Sequence, residues 1–236
     1  MTTVSPPPAA LGVIPARGGS KRIPRKNIRL LSGRPLITWA IEAALQSGQF
    51  EQVIVSTDDE QIAEIALQSG AAVPFMRPAE LASDAASTVS VMAHAVTQMQ
   101  AAGFVGALAC CIYPASVFVS PSDFSQARAM LERSDRAYAA TIVAYPHPIQ
   151  RAFDLGPAGQ IQLLDPAGAT QRTQDLPQRW HDAGQFYWGR VDAWCAELPI
   201  LPNAVGYELT QNQVQDIDTE DDWHRAQVIH SMRTAT

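Results

Sequence analysis

The segment from residue 15 to residue 27 carries two adjacent glycines, a serine and five cationic side chains. Glycine lets backbone N–H groups approach an anion closely, and Lys and Arg add charge-assisted hydrogen bonds to phosphate oxygens. Lys21 and Lys26 are the only lysines among 17 basic residues, and a compact ammonium suits contact with a single oxygen. The spacing is neither that of a P-loop nor that of Gly-x-Gly-x-x-Gly. The composition predicts a polyphosphate site, with a solvated basic loop as the alternative.

Near the other end of the chain, Asp216 and Asp218 are separated by a single residue. We predict a strand over Val214 to Ile217, in which alternate side chains share one face. Paired carboxylates suit Mg²⁺, which prefers oxygen ligands and bridges to substrate phosphates. A solvated strand end is an equally open interpretation. The three acids at positions 220–222 are predicted to lie in a first helical turn, where the helix dipole favours negative charge.

Charge is distributed unevenly along the chain. Seven cations and no acid occur between Arg17 and Arg34, whereas five acids occur between Asp216 and Asp222. The net charge of −6 argues against a general nucleic-acid-binding protein. The two segments would be complementary if the fold brought them to one site.

Alternating strand and helix patterns must position these segments. Apolar runs predict strands at residues 11–14, 52–56, 71–75, 107–113 and 138–144, and helical spacing predicts helices at residues 35–46, 58–69, 88–102, 122–134 and 219–232. Asp58 and Asp59 are predicted to be structural, with at least one of them capping a helix. The alternation predicts an α/β fold with a mostly parallel, doubly wound sheet that binds ligands at the carboxyl ends of its strands.

The region from Tyr145 to Trp188 breaks this alternation. We predict a β-rich excursion with hairpin strands at residues 150–155 and 160–164, followed by a return to the sheet at residues 185–189. Residues 1–10 include three consecutive prolines and are predicted to be a disordered leader. Residues 11–236 are predicted to form a single domain.

Several classes of protein and site are disfavoured. The odd set Cys110, Cys111 and Cys195 gives no readable disulfide pattern, and all three are predicted to be buried thiols. No zinc-ligand spacing or Ser-His-Asp arrangement is found. The chain has no apolar run of about 18 residues and no signal-peptide pattern, so we expect a cytoplasmic protein that does not associate with membranes.

The loop from Ile14 to Asn27 resembles the signature of the cytidylyltransferases that activate nonulosonic acids, the CMP-sialic acid synthetase group. Further matches follow in order at residues 56–59, 77–84, 87–88 and 216–218. Residues 171–175 and 181–188 look most like the pseudaminic acid cytidylyltransferase branch of that group. The resemblance covers nearly the whole chain and implies a Rossmann-like nucleotidyltransferase domain.

The resemblance also implies residue roles. The residues expected to hold CTP are Arg17, Ser20, Lys21, Lys26, Asn27, Arg77 and Thr88. A plain helix cap is an equally open role for Thr88. Asp216 and Asp218 would hold Mg²⁺ and, with Arg17 and Lys21, would stabilise the charge that develops during the reaction. The groups available to a sugar acid are Arg172, His181, Asp182, Gln185 and Tyr187, although a polar loop around a core strand would have the same composition.

The expected reaction transfers CMP from CTP to the anomeric hydroxyl of a nonulosonic acid, with pseudaminic acid as the expected acceptor. Sialic, legionaminic and Kdo-type acids remain alternatives. A glycosyltransferase, in which an Asp-x-Asp motif also occurs, and a non-catalytic nucleotide-binding module are rival functions. One residue departs from the family pattern, since Val117 stands where proline is usual. The resemblance further implies a homodimer in which residues 145–182 cross to the partner's pocket.

Overall fold

Residues 9–234 are described by a computed structural model of the chain. The strands are β1 (Ala10–Pro15), β2 (Leu30–Leu31), β3 (Arg34–Pro35), β4 (Gln52–Ser56), β5 (Leu108–Ile112), β6 (Tyr138–Ala144), β7 (Phe153–Leu155), β8 (Ile161–Leu163), β9 (Trp180–Arg190) and β10 (Ala204–Leu209). The helices are α1 (Leu36–Gln46), α2 (Glu60–Gln68), α3 (Thr88–Ala101), α4 (Pro121–Glu132), α5 (Pro166–Thr170), α6 (Val191–Cys195) and α7 (Glu220–Thr234).

Six of the strands form the central sheet, in the order β10-β6-β9-β5-β1-β4. Strands β4, β1 and β5 are parallel neighbours, as are β6 and β10, whereas β9 runs antiparallel between β5 and β6. Five of the six strands in this sheet therefore point the same way. The predicted α/β fold with a mostly parallel sheet is confirmed.

Helices cover both faces of the sheet. Helices α1, α2 and α4 contribute Ile41, Ile62 and Phe124 to the core on one face. Helices α3 and α6 contribute Met92 and Trp194 to the core on the other. Because a strand in this position is buried on both sides, β5 is an uninterrupted buried run. The doubly wound arrangement leaves the loops at the carboxyl ends of the strands to form a site.

Two predicted strands do not form. Residues 71–75 contribute only one isolated bridge, at Ala72, because Pro74 lacks the N–H that a ladder needs. Residues 214–217 are not paired in any ladder. The carbonyl of Ile217 accepts instead from Lys26 Nζ at 2.5 Å. This acidic segment is therefore an extended loop that precedes α7, and the strand prediction for it was wrong.

Other elements differ from expectation at their ends or were missed. Helix α6 and strand β10 were not predicted, and the prolines at positions 199 and 202 favour a loop between them. Strand β1 begins at Ala10, one residue earlier than expected, and residues 1–8 of the predicted leader lie outside the described residues. Cys110 and Cys111 are buried as predicted, but Cys195 is exposed.

The excursion after β6 contains the predicted hairpin. Strands β7 and β8 pair as a separate two-stranded sheet, and β9 returns to the central sheet with a shift in register against β6 between Ala140 and Ile142. The single-domain assignment of residues 11–236 stays a prediction. Across residues 9–234, no helix has both the length and the apolar character needed to cross a bilayer.

Candidate active site

Two cavities open where β1 and β5 end. The first, of about 410 Å³, is lined by residues that include Arg17, Ser20, Lys21, Lys26, Asn27 and Asp218. The second, of about 340 Å³, is lined by residues that include Asp182, Gln185, Tyr187 and Asp216. Both cavities include Lys26, Asn27, Tyr113 and Pro114 in their lining. The two cavities therefore share a wall, and most of the residues predicted to act together line one or the other.

The basic loop is held by the start of α2. Asp58 Oδ1 accepts from the backbone N–H of Gly18 at 3.0 Å, and a Cβ atom on Gly18 would lie 2.7 Å from a carboxylate oxygen of Asp59. Asp59 caps α2 through Ile62 N. Asp59 also accepts from Arg25, whose guanidinium lowers the pKa of that carboxyl. The predicted structural role of the two aspartates thus includes shaping the loop.

Two cations of the loop converge on a single carboxylate. Arg17 Nη1 lies 2.6 Å from one oxygen of Asp84, and Lys21 Nζ lies 2.5 Å from the other. Hydrogen bonds from Lys21, and then from Arg17, lower the pKa of Asp84. Since one three-atom carboxylate contacts both cations, a phosphate group in the same place could also contact both.

The basic and acidic segments of the chain meet in this site. Asp218 lies 2.9 Å from Arg22 and 3.4 Å from Lys26. Two residues further along, Glu220 lies 2.7 Å from Arg29. These contacts join residues about 190 positions apart in the sequence. Part of the charge of the basic segment is therefore balanced by the acidic segment at this site.

Asp216 lies at the edge of the second cavity. Partial desolvation, followed by the nearby charge of Asp218, raises the pKa of its carboxyl. A cation between the two aspartates would relieve this repulsion. Within residues 9–234, no cluster of three or more His, Cys, Asp or Glu is arranged to hold a metal. A metal here would therefore need phosphate or water oxygens to complete its ligands, which is usual for Mg²⁺.

A buried hydrogen-bond network fixes the chain just before Asp216. Asp123 is buried and accepts from Tyr207 Oη at 2.8 Å and from Gln213 Nε2 at 2.9 Å. It also accepts from the backbone N–H of Ser120 at 2.7 Å, and Ser120 is the residue that caps α4. The network joins α4, β10 and the turn at residues 211–213, so it anchors the acidic loop to the central sheet.

The second cavity is built on the first half of β9. Gly184, at φ 58°, donates its backbone N–H to Asp182 Oδ1 at 2.9 Å, and Tyr187 Oη donates to Asp182 Oδ2 at 2.6 Å. Burial raises the pKa of Tyr187 far above neutrality, so its hydroxyl keeps the proton. Gln185 donates to the carbonyl of Ala183. The cavity wall is thus formed by hydrogen-bonded polar groups suited to a polyhydroxylated ligand.

His181 lies beside this wall. It lines a neighbouring cavity with Asp182 and Asp216, and its ring packs against Tyr145 with ring centroids 4.7 Å apart. Tyr145 belongs to the start of the excursion, so the excursion contacts the site through His181.

Besides His181, three predicted residues do not line either of the two main cavities. Arg77 is buried and bonds to the carbonyl and hydroxyl of Ser56, and burial lowers its pKa to about 10. Thr88 begins α3, but Ser87 is the residue that caps it. Arg172 is exposed within the excursion. In the single chain, Arg77 therefore bonds to Ser56 at the end of β4. Arg172 lies outside both main cavities.

Sequence reasoning assigned no role to two residues of the site. Asp84 stands inside a matched motif, but its contacts with Arg17 and Lys21 depend on the fold. Tyr113 stands in the stretch that departs from the family pattern, and an aromatic residue directly after a buried strand was the available signal. Val117, the departure itself, packs against an apolar cluster beneath the basic loop and does not line either cavity.

Comparison with known proteins gives concordant results. The family model described as Cytidylyltransferase matches residues 11–216. Pseudaminic acid cytidylyltransferase of Campylobacter jejuni is 39% identical over 94% of this chain and 96% of its own length. CMP-N,N'-diacetyllegionaminic acid synthase of Legionella pneumophila is 50% identical over 38% of this chain and 39% of its own. A structure of CMP:2-keto-3-deoxy-manno-octonic acid synthetase complexed with CTP has the same fold, with a TM-score of 0.70 and 18% identity over 95% of this chain and 99% of that one.

Proposed function

The chain belongs to the cytidylyltransferase family, and we propose that it transfers CMP from CTP to the anomeric hydroxyl of a nonulosonic acid. Pseudaminic acid is the proposed acceptor, because a pseudaminic acid cytidylyltransferase is 39% identical over nearly all of this chain. The products are a CMP-sugar and pyrophosphate. Both substrates point to the cytoplasm, where CTP is available.

The observation that carries this proposal is the wall shared by the two cavities. A cation-rich cavity suits a triphosphate, and the adjoining cavity with Asp182 and Tyr187 suits a hydroxyl-rich acid. Lys26 and Asn27 border both. A transfer reaction needs its two substrates side by side with the reacting atoms about 3–3.5 Å apart, and adjoining cavities support such an arrangement.

The proposed reaction needs no covalent intermediate with the enzyme. The anomeric oxygen attacks the α-phosphorus as its hydroxyl proton passes to water, and the bond between that phosphorus and the bridging oxygen breaks in line, so that its electron pair leaves with pyrophosphate. Arg17 and Lys21 bind the phosphates in place of Asp84 and stabilise the charge on the leaving group. Positioning and charge stabilisation are the main contributions of the protein.

Mg²⁺ is part of the proposal. Asp216 and Asp218 would hold it together with phosphate and water oxygens. The raised pKa of the Asp216 carboxyl beside a second carboxylate supports a need for a cation at this place. When bound, Mg²⁺ neutralises phosphate charge at the reacting centre. Lys26 and Arg22 contact Asp218 and would keep that carboxylate oriented.

We also propose that the protein is a homodimer. The excursion carries an apolar surface formed by Phe153, Leu155, Ile161 and Leu163, all exposed in the single chain. Exposed apolar patches on this scale are typical of protein contacts. A second copy packed on this hairpin could bring Arg172 of the excursion towards a partner's acid cavity, where a cation would pair with the sugar carboxylate.

Pyrophosphate release tests the proposed reaction. The protein is supplied with CTP and Mg²⁺ and, in separate reactions, with pseudaminic, N-acetylneuraminic, legionaminic or Kdo acid. We expect release with pseudaminic acid at a kcat/KM well above those for the other acids. Release with another acid alone would keep the reaction and exclude the proposed acceptor. Bound CTP without release in any reaction would favour the rival nucleotide-binding module.

A further inference from the structure

Thr88 is free of the capping role that its position at the start of α3 suggests. Ser87 caps the helix, with its Oγ 3.1 Å from the backbone N–H of Ser90. The Thr88 hydroxyl lies instead 2.7 Å from the phenolic oxygen of Tyr113. Thr88 is half-buried and does not line either main cavity. Its polar group therefore acts on Tyr113, which stands between Thr88 and the cavities.

Tyr113 occupies the wall that the two cavities share. It follows β5 directly, and its backbone N–H donates to the carbonyl of Gln185 at 2.9 Å, which ties its main chain to β9. Its ring meets that of Tyr187 edge-on, with centroids 5.8 Å apart. Tyr187 in turn donates to Asp182. The orientation of the Tyr113 ring thus bears on both cavities at once.

A hydrogen bond at the tip of this ring restricts its rotation. The ring also packs against the apolar core beside α3, which leaves its polar end to be fixed by the Thr88 hydroxyl. Burial raises the pKa of the Tyr113 phenol well above neutrality, so the group keeps its proton and the bond persists at neutral pH.

We propose that Thr88 and Tyr113 form a positioning pair, in which the Thr88 hydroxyl fixes the Tyr113 ring so that the acid is aligned with the α-phosphorus of CTP. This inference rests on the proposed function. Tyr113 touches the substrates, and Thr88 is a positioning residue that acts through it. The effect falls on the alignment of the acceptor, because the rate of an in-line displacement depends on how well the reacting atoms are held in line, and a misplacement of about 1 Å can cost about a hundredfold.

This assignment differs from a direct contact between Thr88 and the nucleotide. A direct contact would make Thr88→Val weaken CTP binding and would leave Tyr113→Phe without a matching effect. A positioning pair makes the two substitutions equivalent, since each removes the same hydrogen bond. Their combination is then no worse than either alone, because a bond can be removed only once.

The experiment compares Thr88→Val, Tyr113→Phe, the double variant and the rescue variant Thr88→Ser. Ser87→Ala is the matched control, because it removes the cap of α3 without touching the pair. For each protein we would measure kcat/KM for the acid at saturating CTP, the Kd for CTP by calorimetry, and Tm.

We expect kcat/KM for the acid to fall about tenfold in Thr88→Val, in Tyr113→Phe and in the double variant, as for one lost hydrogen bond. Thr88→Ser should recover to within about threefold of wild type, and the Kd for CTP should stay within about twofold throughout. Ser87→Ala should lower Tm and leave kcat/KM unchanged.

Two results would overturn the positioning pair while leaving the proposed function intact. One is a wild type active on the acid whose two single effects multiply in the double variant. The other is a Kd for CTP that rises in Thr88→Val and not in Tyr113→Phe. A wild type inactive with every acid would overturn the proposed function and this inference with it.

Discussion

Lys21 allows a proposed role in the reaction to be tested separately from a role in folding. Its side chain is 80% exposed and its only described partner is Asp84, so its contribution to the folded state is small. Lys21→Ala should lower kcat on the order of a hundredfold, because a cation aimed at developing charge is lost. Tm should change little. Steady-state kinetics at saturating CTP would measure the effect.

A matched control makes this prediction specific. Arg133 is an exposed cation at the end of α4, far from the basic loop in the fold. Arg133→Ala should keep the wild-type kcat. Equal losses in the two variants would point to overall charge, and a fully active Lys21→Ala would remove Lys21 from the proposed mechanism.

For Asp84, which contacts the same basic loop, we expect a substitution to strengthen CTP binding. Its carboxylate contacts Arg17 and Lys21, which the triphosphate is proposed to bind, so it competes with the ligand. Asp84→Asn should tighten the Kd for CTP about threefold at low salt, in line with the modest strength of exposed ion pairs. The gain should shrink as salt screens the pairs. The control is Asp135→Asn, at a 98% exposed carboxylate after the end of α4. Weaker CTP binding by Asp84→Asn would contradict the competition.

The chemistry of the site could be predicted from local composition, whereas the contacts of Tyr113 and Asp84 could not. Glycines and cations in one loop predict phosphate binding because the whole pattern lies within a few residues. The partner of Tyr113 could not be predicted, since Thr88 precedes it by 25 positions and meets it only through the packing of α3 against β5. The same applies to Asp84, whose role depends on where its loop folds back.

At the scale of elements, helix α3 carries a histidine that makes the stability of the fold depend on pH. His94 lies in this helix with its ring edge-on to Phe75, at 5.1 Å between centroids. Burial, and then the charge of Arg77, lower its pKa below the ordinary value of 6.5. The unfolded chain therefore binds a proton more readily than the folded protein does. The stabilisation by neutral His94 is complete above pH 6.5 and is lost as the pH falls below it.

His94→Gln should therefore reduce the loss of unfolding free energy between about pH 7 and pH 5. Urea unfolding at a series of pH values would measure the slope. Part of the slope should remain, because burial lowers the pKa of His230 in the same direction. An unchanged slope in the variant would show that His94 does not couple folding to protonation.

Periodicity predicted the elements that are long and regular, and failed where other contacts decide. Strand β4 and helices α1 and α3 formed within a residue of the expected bounds. Strand β10 was missed because its short run lies among prolines and its partner β6 is distant in sequence. The loop at residues 214–217 has the composition of a strand, yet one of its carbonyls accepts a hydrogen bond from the side chain of Lys26.

At the scale of the molecule, the hairpin of β7 and β8 carries an apolar surface that the single chain leaves uncovered. Leu155 and Ile161 are 71% and 62% exposed and pair across the hairpin. Replacing both with serine should shift the protein from dimer to monomer in sedimentation velocity, because apolar area buried between copies is lost. Val105→Ser, at a site 91% exposed outside the hairpin, should leave the dimer intact. A wild type that sediments as a monomer at micromolar concentration would contradict the proposed dimer.

³¹P NMR of a single reaction shows directly which bond the protein forms. The protein is incubated with CTP, Mg²⁺ and pseudaminic acid, and the phosphorus signals are followed to completion. We expect the three CTP signals to be replaced by those of pyrophosphate and of one CMP-sugar phosphodiester, in equal molar amounts. Unchanged CTP, or free CMP without a sugar ester, would exclude the proposed transfer.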